Sequence, residues 1–426
     1  MNASKKVILI EFNELTPSLM TRFMADGNLP NFKRFHGESQ VFVTDAEEDG
    51  EDLNPWVQWI TVHTGLSADE HGVRFLSDGH KLTEKSVWDL LSDVGGRVWV
   101  CGSMNARYDA PLNGHLLPDP WSTGIDPYPA GEFASFYRYV RNAVQEHTNT
   151  DSSSSRTDTL SFLKYLVTHG LSFSTFSMLV RQLLHERREN VHWKRAACLD
   201  RLQFDVFRHY FRKYKPHFST YFLNSTAHYQ HKFWRNMEPE LFDVPPSSDE
   251  GVGLESAILF GYQRMDEIIG KFIGMADQDT TLVFCTALGQ QPYVGSESSG
   301  GRHYYRLKSP EAALERLGVE NVSGYEPVMA EQCYLRFEND AAAEKAERVL
   351  SSYSVKDDRV FDPEHSRLFH TTRNGSDIMM QCRCTKLAPD DIVATSDATS
   401  LSIPFHELFY GIDGLKSGRH HPDGIL

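Results

Sequence analysis

Short apolar runs alternating with stretches of helical spacing constrain this chain more than any other feature. The runs fall at residues 7–12, 40–44, 97–101, 217–223 and 280–285, with helical patterns between them, for example at 86–94 and 255–275. Runs this short and this apolar suit strands buried on both faces, and strand–helix alternation predicts a parallel sheet with helices packed on each side. The expected fold class is therefore α/β, a three-layer sandwich around a largely parallel central sheet. Thr16-Pro17 marks the first helix start, with Thr as cap and Pro at the first helical position. In such sheets ligands bind beyond the carboxyl ends of the strands, so the residues after each apolar run are the ones to search for chemistry.

Two insertions interrupt the alternation. The first follows Asp151-Ser152-Ser153-Ser154-Ser155 and continues as a helical stretch to about residue 215; the second, about 331–384, carries two strand patterns (333–337 and 378–382), a short strand at 359–361 and an Ala/Glu-rich helix at 341–351. The expected organisation is a core of 1–130, 217–300 and 400–426, a helical cap of 131–216 and a small α/β subdomain of 301–399. Charge is distributed unevenly between these parts. The chain has 58 acids, 43 bases and a net charge of −15, yet residues 160–215 hold 11 Lys and Arg against four acids, a local +7 that leaves −22 elsewhere. An acidic body excludes nucleic-acid binding through a general basic face. The basic stretch reads either as a solvated helical face or as a cap over an anionic partner.

Composition excludes other classes. Apolar residues make up 40% and aromatics 12%, which supplies a core and rules out a long disordered region. Cys101, Cys198, Cys285, Cys333, Cys382 and Cys384 are too sparse and irregular for a disulfide framework or zinc knuckle. Lys5-Lys6 followed by only Val7-Ile8-Leu9-Ile10 matches neither a signal peptide nor a membrane span, so the expected compartment is the cytoplasm, with no transmembrane segment.

Five landmarks occur in order along the chain. They are Val7-Ile8-Leu9-Ile10-Glu11-Phe12-Asn13-Glu14-Leu15-Thr16-Pro17 continuing to Asn28-Leu29-Pro30-Asn31-Phe32; Trp56-Val57-Gln58-Trp59-Ile60-Thr61-Val62-His63-Thr64-Gly65 ending in Glu70-His71-Gly72; Gln230-His231-Lys232-Phe233-Trp234; Thr280-Thr281-Leu282-Val283-Phe284-Cys285-Thr286-Ala287-Leu288-Gly289; and His420-His421-Pro422-Asp423-Gly424-Ile425. The ordered set resembles the alkaline phosphatase superfamily, in particular its type I phosphodiesterase/nucleotide pyrophosphatase branch. The resemblance implies two divalent metals flanking a Thr or Ser nucleophile that attacks phosphorus.

Carried over position by position, much of that machinery is replaced. The first carboxylate falls on Asn13, the nucleophile on Pro55, a further carboxylate on Ala227, and an Asp-His pair on Ala287 and Leu288. His231 and His420 remain as metal ligands. With most ligands and the attacking oxygen replaced, the two-metal reaction is not expected. A rebuilt site holding one divalent metal, zinc or manganese, could use His231 and His420 with His228, at i,i+3 spacing, or Asp423. The other reading makes these imidazoles ordinary hydrogen-bonded histidines, as His63 is expected to be a packed or capping residue. Asn13, Glu14, His228, Gln290, Gln291, Arg302, His303 and Asp423 are the candidate cleft residues; the run Gly300-Gly301-Arg302-His303-Tyr304-Tyr305-Arg306 combines glycines, bases and aromatics, and reads either as a contact for a phosphate or sugar face or as an exposed loop tip. Two functions follow: a divergent phosphodiesterase-like protein taking an anionic small molecule such as a nucleotide-sugar or phosphorylated glycan, or a catalytically silent scaffold.

Overall fold

The computed structural model describes residues 5–50, 53–122, 124–146, 156–247, 253–294, 303–328, 331–357, 359–360, 366–398, 401–412 and 416–426. The chain divides into two compact units, one of Met1–Val144, Ser153–Tyr293 and Ser417–Leu426, the other of Val294–Lys416 with Gln145–Ser152. The helices Arg156–Thr168, Phe173–His185 and Arg195–Tyr214 belong to the first unit.

At the centre of the first unit lies a five-stranded sheet in the order Gly114–Leu117, Val98–Cys101, Phe218–Leu223, Lys6–Phe12, Thr280–Cys285, every pair parallel. Alternation along each strand assigns side chains to two faces. Val98, Val100, Leu116 and Phe218 join Trp88 of the helix Val87–Asp93 in one apolar cluster, and Phe222 meets Trp59 of the helix Pro55–Thr64 edge-on at 5.5 Å between ring centroids. On the opposite face Tyr221 packs against Phe204 and Phe207 of Arg195–Tyr214 and Phe272 of Ala257–Met275, while Phe12 meets Phe32 of Pro30–Gly37. The result is the three-layer α/β sandwich that the alternation of apolar runs predicts.

Three local expectations change. The run at 40–44 forms only the exposed strand Val43–Asp45, which pairs antiparallel with Asp423–Ile425 outside the central sheet. The edge strand Gly114–Leu117 carries little apolar signal before Leu116, yet joins the sheet beside Val98–Cys101. Thr16 precedes the helix Pro17–Ala25, but its side chain makes no capping bond. Its hydroxyl donates instead to Gln290 O and accepts from Gln290 N, each at 3.0 Å, tying the helix start to the strand Gly289–Pro292.

In the second unit, the antiparallel strands Phe369–Asn374, Asp377–Cys382, Cys333–Phe337 and Val322–Pro327 form a sheet in that order. The helix Asp340–Ser351 packs Ala343, Ala346 and Leu350 into one core with Leu335, Ile378 and Met380. Residues 359–360 form a turn where a short strand was expected, and Phe361 lies outside the described residues. All six cysteines are free thiols.

Candidate functional site

The first strand delivers the site. It ends at Phe12, and in the turn Asn13-Glu14 that follows, Glu14 enters the left-handed region at φ 61°. That backbone is uncommon for a residue with a Cβ and is held here by Gln230, whose Nε2 donates to Glu14 O at 2.7 Å. The turn buries the Glu14 carboxylate to 1% exposure.

Two histidines converge on it from separate elements. His231, on the helix Ser225–Met237, places Nε2 3.0 Å from Glu14 Oε2, while its Nδ1 faces Gly418 O at 3.0 Å. His420 lies on the strand Gly418–His421, antiparallel to Gly289–Pro292 with His420 opposite Gln290. Its Nε2 stands 3.5 Å from Glu14 Oε2, and its Nδ1 faces Leu53 O at 2.8 Å. Because a carbonyl only accepts, each Nδ1 carries a proton and each Nε2 is directed at the carboxylate. Gly418 permits this approach, since a Cβ there would stand 2.4 Å from Gln230 O and 2.7 Å from Gln290 Oε1.

The electrostatics follow from burial and charge. Burial alone would raise the Glu14 carboxyl, but the charges of His420 and His231, with hydrogen bonds from His231 and Gln290, hold it down at about 2. Gln290 Nε2 reaches Oε2 at 2.5 Å and also donates to Ala227 O at 3.1 Å. Asn13 Nδ2 reaches the other oxygen, Oε1, at 2.6 Å.

The donor set fits one divalent cation. Glu14, His231 and His420 are the only such group of three among the described residues, with donor atoms all within 4.8 Å of one another. Two imidazole nitrogens and a carboxylate make the His₂Glu set of three-ligand catalytic zinc sites, and Nδ1–H to carbonyl bonds are the usual second support of such ligands. Zinc–ligand bonds of about 2.0–2.1 Å in a tetrahedron require donor separations of roughly 3.3 Å. The His231–Glu14 and His420–Glu14 separations of 3.0 and 3.5 Å bracket that value.

The residues at the positions that the resemblance gives to a second metal and a nucleophile lie as follows. Asn13 is fully buried; besides Glu14, its Nδ2 donates to Asn224 Oδ1 at 2.7 Å, and its Oδ1 accepts from Trp59 Nε1 at 2.8 Å. Pro55 is a buried residue at the first turn of its helix. Ala227 and Leu288 are buried, and Ala287 takes φ 58°. Thr61 Oγ1 faces His71 Nε2 at 3.2 Å.

The remaining candidates separate. The third donor is Glu14, with neither His228 nor Asp423 in the cluster, although His228 shares the helix of His231. Gln291 Nε2 donates to His420 O at 3.0 Å, and Asp423 stands 3.7 Å from His421 Nδ1. His303 belongs to the second unit, where its N–H donates to Thr385 O, and Arg302 lies outside the described residues. His63 is packed, as expected, but into a buried polar network. Its Nε2 meets Glu11 Oε1 at 2.9 Å, and Ser103 Oγ donates to Glu11 Oε2 at 2.6 Å. Ser103 thus faces a carboxylate that His63 also faces, an arrangement unlike a hydroxyl paired with its imidazole base.

Trp59 and Asn224, which hold Asn13, were not among the sequence candidates. Trp59 lies one helical turn after Pro55 and Asn224 directly follows the strand Phe218–Leu223. Position at a strand end was the available signal for Asn224.

Comparison with known proteins gives the following. No family model matches the chain, and no curated protein does. Among solved structures the chain is similar to phosphonoacetate hydrolase from Sinorhizobium meliloti in complex with phosphonoacetate, at 11% identity and a TM-score of 0.44, covering 99% of this chain and 89% of that one. It is also similar to murine ectonucleotide pyrophosphatase/phosphodiesterase 5, at 10% identity and a TM-score of 0.37, covering 96% and 88%. Both of these proteins belong to the alkaline phosphatase superfamily.

Proposed function

We propose that the chain is a divergent member of the alkaline phosphatase superfamily that holds a single divalent cation, zinc or manganese, between Glu14, His231 and His420, and binds an anionic phosphoester such as a nucleotide-sugar or phosphorylated glycan. The observation that carries this reading is the convergence of two imidazole Nε2 atoms on one buried carboxylate oxygen, each ring oriented by a backbone carbonyl. The place is where ligands of parallel sheets bind, beyond the carboxyl ends of the strands Lys6–Phe12, Phe218–Leu223 and Thr280–Cys285. A bound cation would supply positive charge toward a phosphoryl oxygen. The chain's own residues do the rest: Glu14 cancels part of that charge, Gln290 and Asn13 fix the carboxylate, and Gly418 O and Leu53 O fix the imidazoles.

A covalent phospho-enzyme is not part of the proposal, because proline stands at the nucleophile position. This substitution, with the closed hydrogen bonding of Asn13, favours a second reading in which the protein binds its ligand without turning it over. Equilibrium dialysis against zinc or manganese tests the shared premise. One equivalent retained by the wild type and none by the His231→Ala/His420→Ala variant is expected; no equivalent, or two, would overturn it. Hydrolysis of bis(p-nitrophenyl) phosphate by the loaded protein, abolished by chelator and in that double variant, would decide for turnover over binding alone.

A further inference from the structure

We propose that the helices Arg156–Thr168 and Phe173–His185 form a docking surface for an anionic lipid bilayer. Each presents an apolar stripe to solvent. On the first, Leu160, Leu163 and Val167 recur at i, i+3 and i+7, with Leu160 66% and Val167 72% exposed. On the second, Phe173, Phe176, Val180, Leu183 and Leu184 continue the same spacing, and Phe173 is 83% exposed. The inward residues are separate: Phe162, Tyr165, Leu166 and Thr175 are buried. Eight large apolar side chains exposed on two helices consecutive in the chain exceed the scattered exposure of an ordinary surface.

Charge selects the occupant. Lys164, Arg181, Arg187 and Arg188 are exposed beside these stripes, and among the described residues none of them has an ion-pair partner. Two of the acids nearby face other bases, Asp158 facing Arg138 at 3.3 Å and Glu186 facing Arg195 at 2.6 Å, while the exposed Glu189 stands 3.1 Å from His185. Aliphatic and Phe side chains flanked by uncompensated bases are the pattern of helices that lie in a bilayer interface, where the bases reach acidic headgroups. The remainder of the chain, at −22 outside residues 160–215, is on balance repelled by such a surface. A second copy docked stripe to stripe would instead set these bases against one another. No helix among the described residues is long and apolar enough to cross a membrane, so the contact is peripheral.

Co-sedimentation of the full chain with vesicles tests the proposal, comparing phosphatidylcholine alone with phosphatidylcholine mixed with phosphatidylserine. Binding to the mixed vesicles alone is expected, falling as salt rises. Each base near the surface accounts for about a 5-fold change in partition, so Arg187→Gln/Arg188→Gln should lower it by about 30-fold. Phe173→Ser/Phe176→Ser, at exposed positions, should abolish binding with the thermal melt unchanged. Absence of binding to the mixed vesicles, equal binding to both vesicles, or insensitivity to both variants would overturn the proposal. So would a dimer mass in sedimentation equilibrium that becomes monomeric in Phe173→Ser/Phe176→Ser, since the face would then be covered by a second copy.

Discussion

Replacing Glu14 by glutamine keeps the shape of the side chain and removes the charge on which His231 and His420 converge. In the metal-free protein the carboxyl sits at about 2, against 4.5 for the same group unperturbed. The folded state therefore favours the ionised form by about 3 kcal/mol. The sign is that of a depressed acid. The stabilisation is complete above pH 4.5 and is lost as pH falls toward 2. Integrated across that window, the contribution is about 3 kcal/mol at pH 5 and about half of that at pH 3. The variant also sets an amide against Gln290 Nε2, which adds a cost independent of pH. The informative quantity is consequently the slope. Urea unfolding of wild type and Glu14→Gln in chelator, at pH 5 and pH 3, should show the stability gap narrowing by about 1–2 kcal/mol on acidification. A gap that stays constant between these pH values would refute the reasoning, since Glu14 would then not be held ionised by the two imidazoles.

Three further perturbations follow from the same geometry. Asn13→Asp puts a second carboxylate against Glu14 Oε1, where Asn13 Nδ2 now donates at 2.6 Å; scanning fluorimetry should show about 3–5 kcal/mol of lost stability in chelator, relieved by zinc, and a loss that zinc does not relieve would count against the site. Gly418→Ala forces a Cβ to within 2.4 Å of Gln230 O; stability should fall by about 1–3 kcal/mol and zinc affinity by about 10–100-fold in calorimetry, and unchanged affinity would contradict the role given to this strand. Asp200 is pushed up to about 7 by burial, which the hydrogen bond from Ser225 only partly offsets. Between pH 3.8 and 7 the folded state keeps a proton that the unfolded chain has released, so stability drops as pH rises through that window. Asp200→Asn should therefore melt above the wild type at pH 8, by up to about 4 kcal/mol of stability, with the advantage shrinking at pH 5; a lower melt at pH 8 would refute it.

Much of the sandwich was legible because buried parallel strands are written as short, largely apolar runs, and 7–12, 97–101, 217–223 and 280–285 all supply strands of the central sheet. Gly114–Leu117 was not, since Gly114 and His115 break the run and its place is set by pairing with Val98–Cys101. At the site, Gln290 drew attention by following a strand, while Asn13, Glu14, His231 and His420 stood out through the landmarks of the resemblance. What the sequence could not express is direction. The helical spacing of His228 and His231 suggested a pair, but the ring of His231 is oriented by Gly418, 187 positions away in sequence. The left-handed turn that aims Glu14 at both histidines depends on Gln230 and has no sequence signature of its own. The hydroxyl of Thr16 likewise leaves its expected cap for Gln290, 274 positions away in the chain.

The central claim is one cation where the resemblance implies two. Crystals grown with zinc, with anomalous difference maps measured on either side of the zinc edge, test it most directly. The account predicts a single peak bonded to Glu14, His231 Nε2 and His420 Nε2, with none beside Asn13 and Trp59. A second peak at Asn13, or no peak between the two histidines, would contradict it.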